Sequence, residues 1–306
     1  MSKKSTISIV INTKNAAATL ARTLESVHAW ADEVVVVDMK STDDTLKIAK
    51  RFKAKTFSFA KDEKYVEPAR NFALEKAQGN WIFVIDADEA VPPSLRDFIL
   101  EVVQGKSATI GDCYFVPRRN RIFGKWIEMS GWWPDYQLRF FRAGAVKWST
   151  QIHTPPSTKG QTVYLPADPA LALEHENYQS VTQFLERLNR YTSIDTTRNT
   201  AQTTTTAQVI HRFTADFCRR LFVERSIDEG VHGVSLAYLQ GMYEVVAELK
   251  GWESRGFPST KDDQALTISS LRQLEQSLNY WIADYMVKHT SGWRNVMWQF
   301  RRKLRI

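Results

Sequence analysis

The chain has 306 residues, enough for about two domains, and its 43% hydrophobic and 25% charged content excludes a disordered or low-complexity protein. No apolar run approaches the roughly 20 residues of a membrane-spanning helix, the polar start over residues 1–6 does not read as a signal peptide, and Cys113 and Cys218 lack metal-type spacing, so free thiols in a reducing compartment are expected. The net charge of +7 is concentrated, because Lys288, Arg294, Arg301, Arg302, Lys303 and Arg305 stand in a stretch without an acid; this argues for one local basic patch and against a nucleic-acid footprint.

The first hundred residues alternate strand and helix signals. Ile7 to Ile11 is an apolar strand, and Leu20, Leu24 and Val27 mark one face of a helix. Val34 to Val37 is a second strand ending at Asp38. Ser41 with Asp44 resembles a capping box, followed by an apolar helix face of Leu46, Ile48, Ala49 and Phe52. Thr56 to Phe59 is a short strand, and Val66 to Gln78 a helix closed by Gly79. Trp81 to Ile85 is the fourth strand, after which Pro92, Pro93 and Ser94 open another helix. Such alternation predicts a mostly parallel sheet with helices on both faces. Shorter strands follow at Cys113 to Pro117, Ile122 to Ile127, Gln137 to Phe141 and Val163 to Leu165. From Ser180 the pattern is almost wholly helical, with Ala201 to Ala207, which holds four consecutive threonines, expected as a mobile loop.

The densest chemistry follows the fourth strand, where Asp86, Asp88 and Glu89 crowd together. Crowded acids repel, so a divalent cation is expected among them. Open α/β sheets bind ligands beyond the carboxyl ends of their strands, which points to a phosphate-bearing substrate.

Five segments in this order carry a resemblance: Ile9 to Asn15; Val34 to Asp38 with Ser41 to Thr45; Ala69-Arg70-Asn71; Trp81 to Glu89; and Gly131-Trp132-Trp133-Pro134-Asp135 with Arg139. They make the chain resemble the family 2 glycosyltransferases, with the GT-A nucleotide-diphospho-sugar transferase fold, and among them bacterial lipopolysaccharide-core glucosyltransferases. The resemblance implies that Thr13 and Asn15 face the nucleotide and that Asp38 accepts a hydrogen bond from its base, commonly uracil. Arg70 counters the diphosphate. Asp86 lies toward the ribose, and Asp88, with Asp86 and His153, holds Mg²⁺ or Mn²⁺ through hard ligands. Asp135 is the implied catalytic base, and Arg139 is expected to pair with Asp135 or meet phosphate. His175 is read as structural or merely near the site, and Glu89 as the start of the next helix. Thr154 stands where relatives carry a glutamate after the histidine, Ala16 where they often carry a glutamate, and Lys40 where they often carry a glycine, which puts one nucleotide contact and the shape of that turn in question.

The expected organisation is a GT-A domain over residues 1–178, with a nucleotide-binding half at 1–105 and an acceptor half at 106–178, followed by a helical region at 179–306. The expected activity is inverting, metal-dependent transfer of a hexose from a nucleotide sugar, a UDP-sugar above all, to a hydroxyl of a cell-envelope glycan or lipid-linked saccharide. Two alternatives stand beside it: a sugar nucleotidyltransferase, for which the Gly-rich loop is missing near Thr13-Lys14-Asn15, and a non-catalytic protein that binds nucleotide sugar or membrane. Trp293, Val296, Met297, Phe300 and Leu304 share one face of a basic helix. That helix is expected either to dock its apolar face on the protein or to lie on an anionic membrane, with Phe213 to Val223 as a second contact helix. The implied location is cytoplasmic, peripheral to the inner face of the cell membrane.

Overall fold

A computed structural model describes residues 5–60, 66–149, 155–195, 204–258 and 264–306. The chain separates into two compact units, residues 1–121 with 133–177, and residues 122–132 with 178–306. The segment 122–132 therefore groups with the helical residues, not with the sheet. Its Ile122 and Ile127 are buried in a cluster with Phe184, Leu188 and Leu236.

In the first unit β1 (Ile7–Thr13), β2 (Glu33–Asp38), β3 (Lys55–Ser58) and β4 (Trp81–Asp86) pair in parallel. Helices α1 (Leu20–Val27), α2 (Thr45–Arg51), α3 (Glu67–Lys76) and α4 (Pro93–Val103) are also present. Ile7, Ile9, Ile11, Phe83 and Ile85 pack with Leu20, Leu24, Leu95 and Ile99, while Val10, Ile82 and Val84 pack with Ala69 and Ala73. The two-residue period thus buries both faces, which explains why these strands read as continuous apolar runs. The short β5 (Glu89–Ala90) follows β4, and β6 (Cys113–Val116) comes after α4. β7 (Arg118–Ile122) leads into β8 (Lys125–Trp126) of the second unit. Then come β9 (Gln137–Arg142), β10 (Val146–Lys147), β11 (Ser157–Thr158), β12 (Thr162–Tyr164) and β13 (Leu173–Tyr178). The main sheet runs β12-β6-β9-β4-β1-β2-β3, with β9 antiparallel to both β4 and β6. β13 pairs antiparallel with β5 and lies beside β7.

Three local signals act differently from their sequence reading. Ser41 is no helix cap: α2 begins after Asp44, whose side chain makes no capping bond, and Ser41 Oγ accepts from Asn15 N at 2.8 Å. Gly79 does not end α3, which stops at Lys76 with an extended Ala77. A Cβ on Gly79 would lie 2.6 Å from Ser8 N, so close backbone approach explains this glycine. Lys40 adopts φ 61, the left-handed conformation that a glycine takes without strain, so the turn keeps a glycine-like shape without the glycine.

The second unit contains α5 (Val181–Asp195), α6 (Thr206–Cys218), α7 (Val231–Ser254), α8 (Gln264–His289) and α9 (Gly292–Leu304). Part of the expected mobile loop, residues 201–203, lies outside the described residues. Its remainder starts α6, where Thr205 and Gln208 form a capping box. Phe217, Leu221 and Phe222 are buried together with Ala237, so the stretch from Phe213 is core and not a second membrane-contact helix. Both cysteines are free and buried. No described helix is long and apolar enough to cross a membrane.

Candidate active site

Parallel register assembles the site. Thr13 stands opposite Asp38, and Asn12 opposite Asp86, so the carboxyl ends of β4, β1 and β2 bring all four to one sheet end, Asn12 and Asp86 toward one face and Thr13 and Asp38 toward the other. With strands about 4.8 Å apart, these positions span roughly 10 Å, the width of a nucleotide. Asp38 is almost fully buried and accepts from Ser41 N at 3.1 Å. Thr13 Oγ1 and Asn12 Oδ1 are buried without a hydrogen-bond partner. Buried polar atoms of this kind are rare and mark places where a ligand or water completes the bonding. Asn15 does something different from its expected contact: at φ 50, its Oδ1 accepts from Thr42 N at 2.8 Å and ties the two strand-end loops together.

Asp86, Val84 and Ile82 alternate onto the face covered by α3, which is why Arg70 of α3 reaches Asp86, with Nη2 donating to Oδ1 at 2.8 Å. Arg70 Nη1 is buried and has no partner, and its guanidinium lies over the Trp148 ring, 5.6 Å from the centroid. Asn71 clamps Trp148 by two bonds of 2.9 Å to its backbone N and O. The other oxygen of Asp86 accepts from Arg139, and Arg118 Nη1 lies 3.9 Å from it. Both oxygens of Asp86 are therefore engaged by guanidinium groups, a poor starting point for the metal ligation expected of this residue. Burial opposes its ionisation, yet the charges of Arg139, Arg70 and Arg118 hold its carboxyl well below the usual carboxylate range.

Glu89, expected to begin a helix, is a fully buried strand residue. Its Oε2 accepts from Asp86 N at 2.8 Å, and its Oε1 from Arg139 at 2.7 Å and Arg118 at 3.1 Å. Arg139 is thus directed at Asp86 and Glu89, not at Asp135 as its spacing suggested. Arg118 takes that place, donating to Asp135 Oδ2 from Nε at 2.8 Å and Nη2 at 2.6 Å. Asn120 adds a bond of 3.0 Å to the same oxygen, and Gln137 one of 2.7 Å to Oδ1. Burial works against the charge of Asp135, but Arg118 and these hydrogen bonds hold its carboxyl below the ordinary range. Arg118 and Asn120 were missed by the sequence reading, which took Glu89 for the start of a helix and His175 for a residue structural or merely near the site.

His175 joins the base to the second acid. Asn120 Nδ2 faces a carboxylate, so its Oδ1 must be the atom that meets His175 Nδ1 at 2.7 Å, and Nδ1 is the donor. Nε2 then faces Asp88 Oδ2 at 3.5 Å. In a neutral ring this sets a lone pair against a carboxylate oxygen, an arrangement satisfied by a proton on Nε2 or by a shared cation. A His whose other nitrogen is fixed by a hydrogen bond is the usual form of a metal ligand. Asp88 and His175 thus fit a divalent cation that takes its remaining ligands from phosphate oxygens and water. No group of three His, Cys, Asp or Glu side chains placed to hold a metal ion occurs among the described residues. His153 lies outside them.

Residues 8–158 match the family model described as Glycosyl transferase family 2. A glycosyltransferase of Rickettsia felis is 43% identical over 99 residues, 30% of this chain and 32% of its own length. The SPbeta prophage-derived glycosyltransferase SunS of Bacillus subtilis is 28% identical over 152 residues, 49% of this chain and 35% of its own. The chain thus spans about a third of the length of these curated relatives. Among solved structures, glucosyl-3-phosphoglycerate synthase from Mycobacterium tuberculosis, in complex with Mn²⁺, UDP and glucosyl-3-phosphoglycerate, aligns at 23% identity and a TM-score of 0.30 over 38% of this chain and 44% of that one.

Proposed function

From a chain whose residues 8–158 match the Glycosyl transferase family 2 model, we propose metal-dependent, inverting transfer of a hexose from a UDP-sugar to a hydroxyl of a cell-envelope glycan or lipid-linked saccharide, of the lipopolysaccharide-core kind, by a protein peripheral to the inner face of a bacterial membrane. One observation carries the chemistry: the polar groups at the ends of β4, β1 and β2 share one sheet end, and hydrogen bonds join Asp135 through Asn120 to His175, whose Nε2 lies 3.5 Å from Asp88.

Each residue has a role in this reading. Asp38 accepts the ring N–H of the base, and Thr13 Oγ1 supplies a buried hydroxyl beside it. Arg70 offers Nη1, which has no protein partner, to a phosphate oxygen. Asp88 and His175 would hold Mg²⁺ or Mn²⁺, whose charge would offset that of the departing nucleoside diphosphate. Asp86 keeps Arg70 and Arg139 in place instead of ligating the metal directly. Asp135, held ionised and oriented by Arg118, takes the proton of the acceptor hydroxyl as it attacks the anomeric carbon.

A thermal-shift panel of nucleotide sugars with and without Mn²⁺ tests the donor assignment. A ligand at a hundred times its Kd stabilises the native state by about 2.7 kcal/mol. UDP-sugars with Mn²⁺ are expected to raise the melting temperature by several degrees, and the metal or the nucleotide alone by less. A flat response over the whole panel contradicts the reading.

A further inference from the structure

Helix α9 is built inside out. At about 100° per residue, Trp293, Val296, Met297, Phe300 and Leu304 share one face, and Asn295 and Arg302 stand on the opposite one. In an ordinary terminal helix the apolar face would be the buried one. Here Trp293 is 73% exposed, Val296 65% and Phe300 62%, and no residue of α9 is buried. The helix is attached to α8 by its polar side. Asn295 Nδ2 donates to Val287 O at 2.6 Å and to Thr290 O at 3.0 Å, and Arg302 Nη1 pairs with Asp284 Oδ1 at 2.8 Å. Docking of the apolar face on the protein, one of the two sequence expectations, does not occur among the described residues.

From this geometry we infer that the Trp293–Phe300–Leu304 face of α9 is a docking surface for an anionic lipid bilayer. The inference deepens the membrane part of the proposed function and is independent of its chemistry. Contiguous exposed apolar side chains of this kind mark interaction surfaces. The charge pattern selects the occupant. Arg294 and Arg301 flank the face on one side and Lys303 on the other, and no acid stands anywhere between Lys288 and Ile306. The Arg294 guanidinium lies over the Trp293 ring at 5.8 Å, so its charge stands at the border of the apolar face, and Arg301 lies over the flanking Trp298 at 5.0 Å. Indole and phenyl groups sink to the acyl boundary while such cations meet headgroup phosphates. A second copy of the chain docked by the same face would bring these arginines against their own counterparts, an arrangement that like charges disfavour.

Sedimentation of the full-length chain with vesicles reads the inference without donor or turnover. Binding is expected to phosphatidylcholine vesicles that contain phosphatidylglycerol, weakened by salt, and to be poor with phosphatidylcholine alone. The double variant Trp293→Ser with Phe300→Ser should lose about tenfold or more in partitioning. The independent pair Arg294→Glu with Arg301→Glu should lose at least about tenfold on the anionic vesicles only. Both should keep the parent melting temperature, since the altered side chains are solvent-exposed. Failure of the parent protein to pellet at low salt, or pelleting that both pairs leave intact, overturns the inference. So does a dimer that the Trp293 and Phe300 changes dissolve in the absence of vesicle binding. None of these results touches the sugar-transfer reading, whose own failure would leave vesicle binding unchanged.

Discussion

Replacing Glu89 by alanine is expected to destabilise the sheet unit by about 3–5 kcal/mol, the cost of stripping one member from a buried charge network. Three guanidiniums and three carboxylates are interlocked at this point: Arg70, Arg118 and Arg139 with Asp86, Glu89 and Asp135. Glu89 is their fully buried centre and the acceptor for the Asp86 amide. Without it, Arg139 keeps only Asp86, Arg118 keeps Asp135 with Asp86 at 3.9 Å, and the Asp86 N–H loses its acceptor. The melting temperature should fall by roughly 10 °C. Glu89→Gln keeps the shape but only one acceptor and sets its NH2 against N–H donors, so it too should lower the melting temperature. Equal melting temperatures for the parent and Glu89→Ala would show that the network does not hold the site.

Asp135→Asn is expected to lower kcat by about 10²–10⁴-fold with a small change in donor affinity, the range typical of a lost general base. The direction of the Asp135 pKa gives a second readout. A carboxyl held below its ordinary value near 4 is ionised throughout the neutral range, so Asp135 should place no acid limb in the rate profile between about pH 5 and 8. The same sign governs stability. The contributions of Asp135 and Asp86 are complete above the ordinary carboxylate pKa and are lost as the pH falls from there through the lower folded values. Urea midpoints should therefore be level above about pH 5 and decline below about pH 4. Full activity in Asp135→Asn would move the base elsewhere.

The parallel strands and covering helices were legible because both faces of β1, β2 and β4 are apolar, and Asp38 and Asp86 were legible because each ends such a run. The rest of the site was hidden for a physical reason. Arg118 and Asn120 sit on β7, whose sequence Arg-Arg-Asn-Arg-Ile reads as a solvated loop. His175 and Asn177 are the buried positions of β13, Leu-Glu-His-Glu-Asn-Tyr, where a two-residue period is present but polar groups face inward. Hydrophobic patterning cannot find strands whose inward face is the active site. An available signal was alternation without hydrophobicity: Leu173, His175 and Asn177 recur every second residue. Glu89 was misread because an acid before Pro92 and Pro93 suits a helix start, and only the buried arginines behind it reveal its use. The inverted polarity of α9 was equally out of reach, since sequence gives the two faces of a helix but not which one meets the protein.

Release of UDP from UDP-glucose in the presence of Mn²⁺, compared between the parent protein and Asp88→Ala, tests most directly whether a cation held at Asp88 and His175 makes the diphosphate a good leaving group. The expected result is steady release by the parent and a loss of about 10²–10³-fold in the variant, with the melting temperature of the ligand-free protein preserved. Undiminished release by Asp88→Ala would contradict the account.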